Sequence, residues 1–185
     1  DQDRLSKSWY YLRDGQFVFS EKLTRNGSPI EYVGKSGAKW SITPEKTVEI
    51  RDGKTTFYSH KGELYDFRNE VFEDSTGGLW IGGLTLIHLK HGTAESFREN
   101  AGFPAKADFH SFREESDGSI WFANGGRSGF GVGLVRYKDG QFSKFGKEFG
   151  LSGTAVFDVL KDREGIVWLA TNKGLNRLRK KVIET

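Results

Sequence analysis

Apolar residues stand side by side at Leu79-Trp80-Ile81, Ile120-Trp121-Phe122 and Val167-Trp168-Leu169, each time just after a polar turn segment. A strand with one face in water alternates apolar and polar residues, so these runs predict strands buried on both faces, as in sheets stacked face to face. Before each run an acid lies six residues ahead of the tryptophan (Asp74, Glu115, Asp162) and a glycine three residues ahead (Gly77, Gly118, Gly165). The acid can accept hydrogen bonds from turn amides, and the glycine takes a positive φ at little cost. The predicted local unit is therefore strand, tight turn, strand.

The unit repeats. Trp40, Trp80, Trp121 and Trp168 are separated by 40, 41 and 47 residues, each with a glycine three positions earlier. A second marker keeps the same phase: Gly15, Gly53, Gly92 and Gly140, at intervals of 38, 39 and 48, close the turns Arg13-Asp14-Gly15, Arg51-Asp52-Gly53, Lys90-His91-Gly92 and Lys138-Asp139-Gly140. Asp-Gly between short strands is a hairpin signal. Four short strands in a period of about 40 residues describe one β-propeller blade. In each, strand a runs into the acidic turn, b carries the tryptophan, c precedes the second turn and d follows it.

The expected fold is all-β, with about four blades of four antiparallel strands. The blades are expected at residues 9–28 (partial, opening at Trp9-Tyr10-Tyr11-Leu12), 29–65, 66–106, 107–153 and 154–185 (nearly complete, Val182-Ile183-Glu184 beginning strand d). Both ends contribute a strand c. An open arc of a larger ring is therefore expected, with exposed edges that pair with further blades or another copy.

Composition narrows the function. With 36% hydrophobic and 14% aromatic residues the chain is globular rather than disordered. Lys and Arg exceed Asp and Glu by only 28 to 25, spread along the chain, which excludes an electrostatic nucleic-acid footprint. The basic run Arg177, Arg179, Lys180, Lys181 is interrupted by Leu178 and reads as a solvated strand face. Without cysteine there is neither a disulfide framework nor a thiolate metal site, and no apolar run approaches the ~18 residues of a membrane span.

The phrases Glu73-Asp74-Ser75-Thr76-Gly77-Gly78-Leu79-Trp80-Ile81-Gly82-Gly83 and Lys161-Asp162-Arg163-Glu164-Gly165-Ile166-Val167-Trp168-Leu169-Ala170-Thr171-Asn172-Lys173-Gly174-Leu175 resemble the two-component regulator propeller repeat. The resemblance covers most of residues 66–185 and, more loosely, 9–65. The unit around Trp40 departs from the pattern, with Gly34 in place of the acid and Lys39 before the tryptophan, so a less buried strand is expected there. The resemblance implies a periplasmic or extracellular sensor segment of a bacterial hybrid histidine kinase or a related signalling or binding protein. It further implies an oligosaccharide or other small polar ligand. The lack of a non-repeated acid pair or histidine–metal cluster points to a non-catalytic role. The Asp74 to Trp80 spacing, shorter than the phrase of quinoprotein propellers, argues against a quinone, so no cofactor is expected.

In propellers the b–c and d–a loops gather at one end. The b–c segment of the third complete unit is stretched, with 19 residues from Trp121 to Gly140 against 12 from Trp80 to Gly92. The candidate ligand contacts are Asn124, Arg127, Asn172 and Lys173 from b–c loops, joined by Arg68, Asn69, Asp108 and His110 from the d–a side. The phase-locked tryptophans read as core rather than sugar platforms. His88 and His91 occupy a strand and its turn and make no metal site, and His60 has no acidic or histidine neighbour in sequence. Glu73-Asp74 and Glu114-Glu115 recur at the blade turn and read as structural, not as a glycoside-cleaving pair. Gly129-Phe130-Gly131-Val132-Gly133 lacks the dinucleotide-binding spacing, and Gly126-Arg127-Ser128-Gly129 misses the nucleophile elbow. A protein-interaction scaffold and a polysaccharide lyase or hydrolase are the alternatives.

Overall fold

The computed structural model describes residues 9–13, 16–20, 30–43, 46–60, 70–98, 101–103, 107–125 and 131–178, the first two stretches by their backbone alone. Every described sheet is an antiparallel meander. β1 (Trp9–Arg13) pairs with β2 (Gln16–Ser20). The first four-stranded sheet is β3 (Ile30–Val33), β4 (Lys39–Ile42), β5 (Lys46–Arg51) and β6 (Lys54–Ser59). The second is β7 (Val71–Glu73), β8 (Leu79–Ile81), β9 (Leu86–Lys90) and β10 (Thr93–Phe97). The third is β11 (Phe109–Glu114), β12 (Ile120–Asn124), β13 (Gly133–Lys138) and β14 (Gln141–Phe145). The last described sheet has three strands, β15 (Val156–Lys161), β16 (Val167–Thr171) and β17 (Gly174–Leu178). Apart from short turns such as Lys147–Phe149, the described chain is all-β, as the periodicity requires.

Three cores join consecutive sheets. Trp40, Ile42 and Tyr58 of the first sheet meet Leu79, Ile81, Ile87 and Leu89 of the second. Trp80, Leu86 and Phe97 leave the other face of that sheet to meet Phe109, Ile120, Phe122 and Val135 of the third. Ala123 and Leu134 then meet Val156, Val159 and Leu169 of the fourth. Strand b is covered on both faces, which is why Leu79, Trp80 and Ile81 are all buried. These are propeller blades stacked in chain order. Among the described residues no core joins the first of these sheets to the last.

The acidic turn performs the chemistry its spacing suggests. Asp74 Oδ1 accepts from the Thr76 amide (2.9 Å), the Thr76 hydroxyl (2.6 Å) and the Gly78 amide (3.0 Å). Its Oδ2 accepts from Trp80 Nε1 at 2.9 Å, so one carboxylate ties the turn to the core indole. Asp162 repeats the arrangement, accepting from the Glu164 and Ile166 amides and from Trp168 Nε1 at 2.8 Å. In the third sheet Trp121 Nε1 donates instead to Ser119 Oγ. In the first, Trp40 Nε1 is buried without a partner among the described residues, because Gly34 offers no carboxylate. Trp40 itself is fully buried, while Lys39 beside it is exposed.

A different side chain closes the first turn. Glu73, at the end of β7, reaches back one blade and accepts from the Ser36 amide (2.9 Å), Ser36 Oγ (2.8 Å) and Arg51 Nη2 (3.1 Å). Glu114, at the end of β11, grips Ser75 through its amide (2.9 Å) and hydroxyl (2.5 Å). At the next junction the charges are exchanged, and Lys161 at the end of β15 pairs with Glu115. Glu73 and Asp74 thus divide two structural tasks, one between blades and one within the blade, whereas Glu114 and Glu115 both reach to neighbouring blades and Asp117 serves the turn.

Candidate functional site

The innermost strands of the last two sheets are irregular at their starting ends, where strand a begins and strand b finishes. In β11 the register jumps from His110↔Ala123 to Arg113↔Trp121, and in β15 from Val156↔Thr171 to Asp158↔Ala170. The cause is in the sequence. Phe109 and Phe112 pack into one core, as Val156 and Val159 do into the next, yet each pair is three residues apart. Side chains three apart share a face only if one extra residue bulges out.

The bulges bring polar groups together. Ser111 takes a left-handed φ of 55°, a conformation that costs a non-glycine residue on the order of 1 kcal/mol. It is held from both sides: its amide donates to Glu70 Oε2 (2.6 Å) and its hydroxyl to Asp158 Oδ1 (2.5 Å). The Phe112 amide also donates to Glu70 (3.3 Å), and the Val159 amide donates to Ser111 Oγ (3.0 Å) and Asp158 Oδ1 (2.8 Å). Three successive blades therefore contribute to one cluster. Although Glu70 keeps exposed surface, desolvation raises its carboxyl pKa and nearby Asp158 adds to the rise, against the Ser111 and Phe112 amides and His110.

An aromatic wall completes the site. A Cβ on Gly125 would lie 2.9 Å from the His110 ring and 3.2 Å from the Phe157 ring, so both rings flank a position that only glycine leaves open. Phe157 is 51% exposed, in contrast to the buried aromatics of the cores. The arrangement offers carboxylate acceptors, an imidazole and an apolar ring face to one small ligand.

Of the candidates read from the sequence, Asp108, His110 and Asn124 come together at the β11–β12 end of this site. The Asp108 carbonyl accepts from the Gly125 amide (3.2 Å), and Asp108 occupies the position before strand a that Glu70 holds one blade earlier. Asn124 is fully buried, with Oδ1 accepting from the Val132 amide (3.0 Å) and Nδ2 lacking a partner among the described residues. Asn172 and Lys173 form the corresponding turn of the next blade. There the Asn172 amide donates to the Ala155 carbonyl (3.1 Å), while the Lys173 side chain is exposed. Arg68, Asn69 and Arg127 lie outside the described residues. Glu70, Ser111, Phe157 and Asp158 escaped the sequence reading, although the three-residue spacing of Phe109/Phe112 and Val156/Val159 was a legible sign of bulges. His88, set aside as a metal ligand, stacks on Trp80 with ring centroids 4.0 Å apart, its Nε2 3.2 Å from Asp74. His60 Nε2 lies 3.2 Å from the Thr47 hydroxyl.

Ser111→Ala is expected to lower stability by about 1–2 kcal/mol in urea denaturation, since it keeps the strained φ and removes the hydroxyl that links Asp158 to the Val159 amide. Ser111→Gly, relieved of the strain, should lie closer to the parent chain.

Residues 150–173, which run from the loop before β15 through the tryptophan strand, match the two-component regulator propeller family. This propeller is similar to the extracellular domain of a hybrid two-component system from B. thetaiotaomicron, with 17% identity, a TM-score of 0.56, and coverage of 97% of this chain and 27% of that one. A second such domain from the same organism gives 16% identity and a TM-score of 0.54 over 82% of this chain and 21% of that one. The propeller is also similar to virginiamycin B lyase from Staphylococcus aureus, with 17% identity, a TM-score of 0.55, and coverage of 88% and 59%. No curated protein matches it by sequence. At these identities the likeness is one of fold, and the chain spans about a quarter of the two extracellular domains.

Proposed function

We propose that this chain is the ligand-sensing portion of an extracytoplasmic propeller in a bacterial two-component signalling protein. The regulator repeat supports the signalling role. The observation that carries the binding role is the exposed Phe157 ring at the junction of two bulged inner strands, beside Asp158 and His110. A sugar ring presents an apolar face and a rim of hydroxyls, which such a ring and such carboxylates complement. A glycan fragment is the ligand class that fits best, with recognition rather than bond cleavage as the outcome.

Isothermal titration with a panel of oligosaccharides tests the reading. At least one should bind, and Phe157→Ala and Asp158→Asn should each weaken it about tenfold or more with little change in melting temperature. Absence of heat with every sugar, or binding indifferent to both substitutions, would remove this site from consideration. Release of reducing ends or unsaturated products from a polysaccharide would instead favour a propeller enzyme.

A further inference from the structure

Strands a and c of each described blade place one residue on either side of the tryptophan, and in the third blade both are arginine. The register sets Tyr32 and Glu49 beside Trp40, and Phe72 and His88 beside Trp80. It sets Arg113 and Arg136 beside Trp121, and Leu160 and Arg177 beside Trp168. Residues directly opposite in antiparallel strands share a sheet face, so each trio lies on one side of its blade. In three of the blades the charged or titratable member has a partner of its own blade. Glu49 accepts from Arg51 Nε at 2.6 Å, His88 Nε2 lies 3.2 Å from Asp74, and Arg177 lies in the field of Asp162.

The third blade breaks this balance. Glu115, which holds the place of Asp74 and Asp162, turns away to Lys161 of the next blade. The acid that remains is Asp117, whose Oδ2 accepts from both Arg136 Nη2 (2.8 Å) and Lys138 Nζ (3.0 Å). Hydrogen bonds from the Ser119 hydroxyl and amide, then from Lys138, hold Asp117 well below the usual carboxylate range, so its one negative charge is already spent on these partners. Arg113 makes no hydrogen bond or ion pair among the described residues, and the Nε atoms of Arg113 and Arg136 are both buried without a partner among them. Lys138 follows Arg136 by two positions along β13 and shares its face. Three cations thus stand with one carboxylate, an excess of two positive charges on one face.

A guanidinium withdrawn from water without an acceptor is unfavourable, which makes this face receptive to an anion. We propose that Arg113, Arg136 and Lys138 form a phosphate-binding site beside Trp121, at the acidic-turn end of the third blade. A phosphate group carries a charge of about −1.5 to −2 at neutral pH and three acceptor oxygens, which match the cation excess, and guanidinium groups pair with it through two parallel hydrogen bonds. Strands a and c are two spacings apart, roughly 10 Å, a gap that two arginine side chains close around one ion. The side chains of Arg136 and Lys138 are 30% and 37% exposed, so solvent reaches the site. It lies at the finishing end of β11, whereas the Phe157 site lies at its start.

Isothermal titration with inorganic phosphate and with glucose 6-phosphate, at constant ionic strength against a chloride blank, tests the assignment. Both probes carry the group the site recognises: equal or weaker binding of the ester assigns the free ion, and an ester bound about tenfold tighter assigns a phosphorylated ligand. Arg113→Gln should weaken binding about tenfold or more and should melt no lower than the parent, since the charge it removes has no partner. Asp117→Asn keeps the acceptor for Ser119 and removes the competing charge, so it should tighten binding several-fold, which a purely structural arginine pair would not do. Arg177→Gln, beside Trp168, should leave binding unchanged. No heat with either probe at about 10 mM, an equal loss in Arg113→Gln and Arg177→Gln, or binding that Asp117→Asn fails to tighten would overturn the proposal.

Discussion

Asp74→Ala is expected to lower the stability of this propeller by about 3 kcal/mol at neutral pH. The carboxylate is buried and serves Thr76, Gly78, Trp80 and His88 at once, so its removal strands donors on both the turn and the core indole. Burial by itself raises the Asp74 pKa, but the hydrogen bonds from His88, Thr76, Trp80 and the Gly78 amide outweigh it and hold the group well below the usual carboxylate range. A depressed pKa contributes stability that is fully present above the unfolded value near pH ~4 and lost as pH falls through the folded one. The parent chain should therefore lose stability on acidification below about pH 4 more steeply than the alanine variant. Urea denaturation at pH 7 and pH 3 measures both effects. Equal slopes for the two chains would show that the Asp74 pKa is not lowered in the fold.

Restoring the missing acid of the first repeat should do harm. Trp40 Nε1 has no partner, and the pattern of the later units suggests Gly34→Asp as the repair. A Cβ at Gly34, however, would lie 2.3 Å from Glu73 Oε2, and the new carboxylate would face another that is 1% exposed. Like charges in a desolvated site are strongly unfavourable, and Gly34→Asp is expected to cost about 3 kcal/mol. Combining it with Glu73→Ala should recover much of that loss, because the space and the negative charge are then supplied once. Thermal melts of the single and double variants give the coupling, and additive losses would rule out this competition.

These two cases mark how far the sequence could be read. The phase of the tryptophans, the acid six residues earlier and the hairpin glycines each rest on local geometry, so strand identity and the amide-capped acidic turn were legible; that Asp74 also accepts from the Trp80 indole only the structure shows. Departures at Gly34 and Lys39 were legible too. That Glu73 fills the gap left by Gly34 was not, because the two residues lie in different blades and no local spacing relates them. The candidate residues follow the same division: loop position alone put Asp108, His110 and Asn124 forward together, whereas Glu70, Ser111 and Asp158 meet only because bulges in β11 and β15 turn them toward each other.

By itself, then, the chain's pattern determined a stack of four-stranded blades, since a strand with apolar neighbours on both sides has no stable place except between two sheets. Tertiary structure alone decided which carboxylate serves which blade and which polar groups converge beside Phe157. It also decided that Leu134 is buried by the next sheet while Leu175, at the equivalent register position, is 65% exposed.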